Sequence, residues 1–242
     1  MVVLVGHLKF IRLDYLLEYF VKVIPTYFLE LIAALSGSYF LLKRENSNLI
    51  DKYLVYFLWI TLIVDIFGSY AAIAYFTEYK YLGFIKDTVF RDNRWFYNIY
   101  TLLFYVFYCK YFINHSNDLK FKKILNVITI IFLFSAVLNL IFSDVIFDKA
   151  SNFNSIWGTI ISILCIALFY FDLLKSDKVL KLKYYLPIYI SIGVLVFNLL
   201  VTPIDIFSAY FNKENNNYFK LKGTVLLGVN IVMYGLFTMG FL

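Results

Sequence analysis

Apolar residues in this chain come in runs of about 20, broken by short charged or Asn-rich stretches. At 1.5 Å per residue, such a run as a helix matches a hydrocarbon core about 30 Å thick. The pattern predicts an all-α, polytopic integral membrane protein: a bundle of seven transmembrane helices. The spans fall at Val23–Leu42, Tyr53–Phe76, Trp95–Ile113, Ile124–Phe142, Ile156–Leu174, Leu186–Phe211 and Thr224–Leu242. Between them lie "KRENSNLIDK", "TEYKYLGFIKDTVFRDNR", "NHSNDLKFKK", "SDVIFDKASNFNS", "KSDKVLKLKY" and "NKENNNYFKLKG". A β-barrel would instead show short alternating segments. Tyr and Trp gather at the expected boundaries (Tyr53, Tyr75, Trp95, Trp157, Tyr184, Tyr185, Tyr210), as amphipathic rings do at headgroup depth.

The first 22 residues, "MVVLVGHLKFIRLDYLLEYFVK", depart from this pattern. They have neither a long apolar core nor a small-residue cleavage site, which argues against a cleaved signal peptide. Asp14, Glu18 and Lys22 fall four apart on one helical face, with Phe10, Leu13, Leu17 and Phe20 mostly elsewhere. The expectation is an interfacial amphipathic helix over 1–22, leading into a transmembrane domain over 23–242. Pro25 would then occupy the first turn of the first span, where its missing N–H costs nothing.

Composition strengthens the class. The chain has 242 residues, 62% hydrophobic and only 16% charged, with a mean hydropathy of +0.76. Soluble domains are nearer half apolar and a quarter charged. The net charge of +6 does not point to nucleic acid, because the basic residues lie in short linkers and form no stripe or aromatic platform. Lys and Arg at helix ends are topogenic, and the expected partner is the lipid bilayer. The denser basic linkers lie on one side and the longer polar ones on the other. That favours an N-terminus outside and a C-terminus in the cytoplasm, in the cell (inner) membrane. Cys109 and Cys165, each inside an apolar run, read as packing residues. Leu41-Leu42-Lys43 recurs as Leu173-Leu174-Lys175 and Asn98-Ile99 as Asn230-Ile231, a weak sign of a three-plus-one-plus-three repeat.

Candidate chemistry enters with the charges inside the spans. Asp65 sits near the middle of "LWITLIVDIFGSY", where an aspartate costs about 2.5–3.5 kcal/mol on an insertion scale. Thr61, Gly68, Ser69 and Ala72 share its helical face, a small and polar stripe suited to close packing, so Asp65 is expected to face the bundle interior. Glu30 shares a face with Ala33, Ala34, Gly37 and Ser38. Asp205 follows Pro203 and shares a face with Asn198 and Thr202; the proline frees a backbone carbonyl and marks a candidate hinge. Asn98, Thr101 and Tyr105 line one side of the third span, and Asn230, Tyr234 and Thr238 one side of the seventh.

Successive spans run in opposite directions, so an early position in an odd span and a late one in an even span share a depth. Glu30, Asn98 and Asn230 are early in odd spans; Asp205 is late in an even one; Asp65 is central. The expectation is a cavity open to one face, lined by Glu30, Asp65, Asp205, Asn98, Asn198 and Asn230, with Asp65 as its floor. Intramembrane carboxylates tend to mark ligand, ion or proton sites, whereas single amides often only join helices.

Other chemistries find no support in the sequence. His7 and His115 both lie near linkers, and no HExxH, Gly-rich phosphate loop or CxxC occurs. The seventh span has no lysine for a retinal Schiff base. No catalytic residue, metal ligand or cofactor is expected. Three readings remain: a small transporter or channel-like protein for an ion, proton or small polar solute; a membrane-embedded hydrolase or lipid-modifying enzyme using paired carboxylates; and a seven-helix sensor or membrane-perturbing effector. The third would act with a separate soluble partner or as a homo-oligomer. The missing histidines favour transport over enzyme chemistry.

Overall fold

The computed structural model describes residues 2–44, 47–143, 145–208 and 216–242. Tyr210 and the expected end of the sixth span at Phe211 lie outside the described residues, as do the side chains of Phe10 and Leu13 on the expected amphipathic face. Among the described residues there is helix and no strand.

The long helices are α1 (Val2–Lys43), α2 (Leu49–Gly68), α4 (Arg94–His115), α5 (Leu119–Phe142), α7 (Asn152–Leu174), α8 (Leu186–Ser208) and α9 (Asn216–Phe241). Two short ones, α3 (Tyr70–Phe76) and α6 (Val145–Asp148), lie between them. Local signals set several boundaries. The Asp118 carboxylate accepts from the Lys120 and Phe121 backbone N–H groups at the start of α5, and the Ser151 hydroxyl does the same for Asn154 at the start of α7. Each satisfies donors that a helix N-terminus leaves without partners.

α1 corrects one expectation. It runs unbroken for 42 residues, about 63 Å by helical rise, and carries Pro25 in its interior rather than at its first turn. The proline costs one backbone hydrogen bond, and its ring is exposed, away from the bundle. The part apolar enough to cross a membrane is Asp14–Lys43.

α2 and α3 form one apolar stretch, Leu49–Phe76, broken at Ser69. Side chains take up carbonyls around the break: Tyr27 donates to the Asp65 C=O at 3.0 Å and Asn93 to the Gly68 C=O at 2.7 Å. Tyr19 and Tyr27 both hydrogen-bond the Ser69 hydroxyl, at 3.3 and 2.6 Å, which ties α1 across the kink.

The long helices touch in chain order, each against the next, and α9 returns to α1. α4 also reaches across to α7 and α8, which places it inside the ring. Among the described residues six helical stretches are long and apolar enough to cross a membrane; α4, rich in tyrosine and carrying Asn98, is long enough but less apolar. Its position explains the composition, since Tyr105, Tyr108, Tyr111 and Phe112 are buried against protein. By contrast α5 turns Ile130, Ile131, Phe134 and Ile141 outward, each about 60% exposed, a patch that only lipid or another protein would cover. Close packing is visible at Gly37 of α1, where an added Cβ would lie 2.8 Å from Val55 of α2 and 3.1 Å from Phe241 of α9.

Candidate functional site: a polar cavity with an acid pair

The ring leaves a cavity of about 560 Å³ among the late part of α2, the early part of α4, the start of α7, the end of α8 and the early part of α9, with Glu30 of α1 at its base. Glu30, Asp65, Asn98, Asp205 and Asn230 all line it. Five residues scattered over five helices therefore line one cavity.

Glu30 and Asp65 form the floor. Glu30 is 2% exposed, and its Oε1 accepts from the Tyr234 hydroxyl at 3.1 Å. Across α1 and α2 the carboxyl groups of Glu30 and Asp65 face each other closely enough to interact, with the Tyr97 hydroxyl of α4 near Asp65, and Glu30 Oε2 is buried without a hydrogen-bond partner. Gly68 allows this arrangement, because a Cβ there would lie 2.3 Å from the Tyr97 hydroxyl. The walls are aromatic and aliphatic: Tyr100, Phe104, Phe197, Val201, Leu226 and Met233. The hydroxyls on the walls are paired, Tyr100 with Thr61 at 2.7 Å, and Tyr105 with Thr159, which continues to Thr202 at 2.7 Å. Gly158 makes room for the Tyr105 ring, 2.3 Å from where its Cβ would be.

One placement differs from the sequence expectation, and two others gain detail. Asn198 does not line the cavity; it is buried between α7 and α8, donating to Ser162 at 3.1 Å. Asn98 does line it, but its polar atoms serve the chain. Its Nδ2 faces the carbonyls of Val145, Ile146 and Lys149, and its Oδ1 accepts from the Ser151 N–H, so it clamps α6 and the approach to α7. Pro203 lies on the exposed side of α8, which continues through it to Ser208.

Lys222 was missed. Its Nζ lies 2.8 Å from Asp205 Oδ1, both side chains about 30% exposed, at the outer part of the cavity. Its position in the chain falls within the linker "NKENNNYFKLKG", but α9 starts at Asn216, two turns before the expected Thr224, and draws Lys222 into the helix. The signal was present: Lys222, Leu226, Asn230 and Tyr234 recur at steps of four, one helical face.

A second polar cluster occupies the opposite end of the bundle. Asp51, in the first turn of α2, is buried; it accepts from the Tyr111 hydroxyl at 3.2 Å and lies 3.4 Å from His115 Nε2. His115, expected near a linker, is thus drawn inside, while the side chain of His7 lies outside the described ones. A recess of about 440 Å³ opens there between Asn48, Asn114, His115 and Tyr185. Burial, with Asp51 and Asp172 nearby, pushes the Tyr185 hydroxyl up to about 12, so it stays a neutral donor and acceptor. Cys109 and Cys165 are free, buried and adjacent across α4 and α7. Among the described residues no three His, Cys, Asp or Glu side chains are grouped to hold a metal ion.

The helices and their lipid-ready outer faces define the class: an all-α, multi-pass membrane protein. No family model, no curated protein and no solved structure matches the chain, so any function has to be argued from the site itself.

Proposed function

We propose that the protein is a small transporter or channel-like protein whose cavity binds a cation and exchanges it for a proton. The observation that carries this reading is that Glu30 and Asp65 lie together on the cavity floor, close enough to interact. Two adjacent carboxylates in a low-dielectric site repel, and a shared proton or an entering cation relieves them. The walls narrow the class of cation. Aromatic faces attract organic ammonium groups, whereas a bare metal ion wants six or more oxygens, which this floor does not offer. A small alkylammonium therefore fits better than a hydrated inorganic ion.

In this reading α4 is a seventh crossing that lines the cavity instead of facing lipid. The cavity opens to the outside, towards the N-terminal side of α4, α7 and α9. Asp205 and Lys222 form its outer ion pair, Asn230 a polar wall, and Pro203 the point about which the end of α8 moves. Asn98 holds the rim in place. The test is methylammonium uptake by proteoliposomes: Asp65→Asn should insert normally and abolish uptake, and unchanged uptake rejects the proposal. The paired acids also raise hydrolysis. An acid–base pair, however, has to bracket a substrate or water, and carboxyl groups facing each other this closely leave no room for one.

A further inference from the structure

α4 carries a second pattern. Tyr97, Tyr100, Phe104, Tyr108, Tyr111 and His115 recur at steps of three and four, a single stripe along the helix. From the first to the last the rise is about 27 Å, close to the thickness of a hydrocarbon core. Each end of the stripe meets an acid on α2, half-buried Asp65 at one end and buried Asp51 at the other. Tyr97 meets Asp65, and Tyr111 with His115 meets Asp51. Between them Tyr100 is hydrogen-bonded to Thr61, and the hydroxyls of Tyr100, Tyr108 and Tyr111 lie within electrostatic range of one another in turn. Phe57 and Phe107 stack beside them, ring centroids 4.1 Å apart, and Tyr108 and Tyr111 are shut off from lipid at 2% and 0% exposure.

Packing alone would be served by phenylalanine. A phenol adds a group that donates one hydrogen bond while accepting another, so a line of phenols and water can pass a proton on and be left neutral. We infer that this stripe is a proton route joining the Glu30–Asp65 pair to the Asp51–His115 cluster and the recess beyond it. The inference rests on the reading of the acid pair as the site that exchanges a cation for a proton. As the cation enters, one proton leaves the pair; Asp51 or His115 takes it up and releases it to water in the recess lined by Asn48, Asn114 and Tyr185. One positive charge has come in and one has gone out. His115 Nδ1 faces the Tyr111 carbonyl at 3.2 Å, which aims Nε2 at Asp51. Other charged or titratable groups at this end, among the described residues, include Arg44, which acts on Asp51, Tyr185, whose ring centroid lies 6.2 Å from that of His115, and Asp172 beside Tyr185.

The test uses the full chain in proteoliposomes with a pH-sensitive dye inside, a potassium–valinomycin potential, and methylammonium present or absent. Proton flux is expected from the wild type and is expected to fall at least tenfold in Asp51→Asn, His115→Gln and Tyr108→Phe. Methylammonium binding to the same variants in detergent should stay within twofold of wild type. Tyr108→Phe keeps the ring and removes only the hydroxyl, so its loss of flux does not come from misfolding. Unchanged flux in the three variants, or no flux from the wild type under either condition, overturns the route. Flux that these substitutions remove from a protein that binds no methylammonium would uphold the route and reject the cation site, which separates the two failures.

Discussion

Two acid clusters lie at opposite ends of the same helix pair, and they differ in their partners. At one end Asp65 meets a second carboxyl group, Glu30, with phenols around them and a cavity above. At the other Asp51 meets an imidazole and a phenol, so its charge has a partner built in. Both acids lie on α2 and both touch α4. The difference teaches that depth in a helix does not decide what a buried acid does. An acid against an acid needs something from outside, a proton or a cation. An acid against a histidine can settle its charge internally and release it when the pH changes.

Substitution can break that contrast. The largest effect is expected at the acid pair. Glu30→Gln or Asp65→Asn should lower methylammonium uptake by roughly a hundredfold or more, because each removes the charge that the cation replaces a proton on. Asp51→Asn should leave binding of the same probe within twofold, and an equal loss of binding at both ends would erase the contrast.

Stability should respond at different places from binding. Asn98→Ala strands the carbonyls of α6 and the Ser151 N–H and should cost about 2–3 kcal/mol in detergent unfolding, with methylammonium affinity little changed in the folded fraction. Gly158→Ala pushes a methyl group into the Tyr105 ring and should cost about 1–3 kcal/mol in the same assay.

The outer ion pair offers a finer probe. Lys222→Gln removes a positive charge from the cavity and should raise methylammonium affinity about threefold at low salt. The gain should fade at 1 M salt, where the screening length is about 3 Å. A gain that persists at high salt would mean that Lys222 acts by shape and not by charge. The smallest effect is expected from Asn198→Ala, about 1 kcal/mol of stability and no change in binding, since Asn198 joins α7 to α8 behind the cavity wall.

Much of this was legible in the chain, and the exceptions have physical causes. Span parity groups Glu30, Asn98, Asp205 and Asn230, because antiparallel helices convert sequence position into relative height, and the central position and polar face of Asp65 add it to them; all five line the cavity. Asn198 was grouped with them because it shares a helical face with Asp205. In the structure the Asn198 end of that face is covered by α7. Lys222 was lost because hydropathy places a helix end where the apolar residues stop, while the backbone of α9 goes on for two more turns. The role of Asn98 depends on a linker 47–53 residues away in the chain, which periodicity does not see.

Amino-acid order by itself determined that the chain would be helical and membrane-embedded. A backbone in hydrocarbon has to satisfy its own hydrogen bonds, and runs of about 20 apolar residues leave the helix as the means. It also determined how far apart two acids on one helix lie, because rise per residue is constant. Only the tertiary structure decided that Glu30 would meet Asp65 and that Asp51 would meet His115. A helical repeat says which residues share a face but not which neighbour that face will touch; that choice belongs to the packing of α1, α2 and α4 against one another.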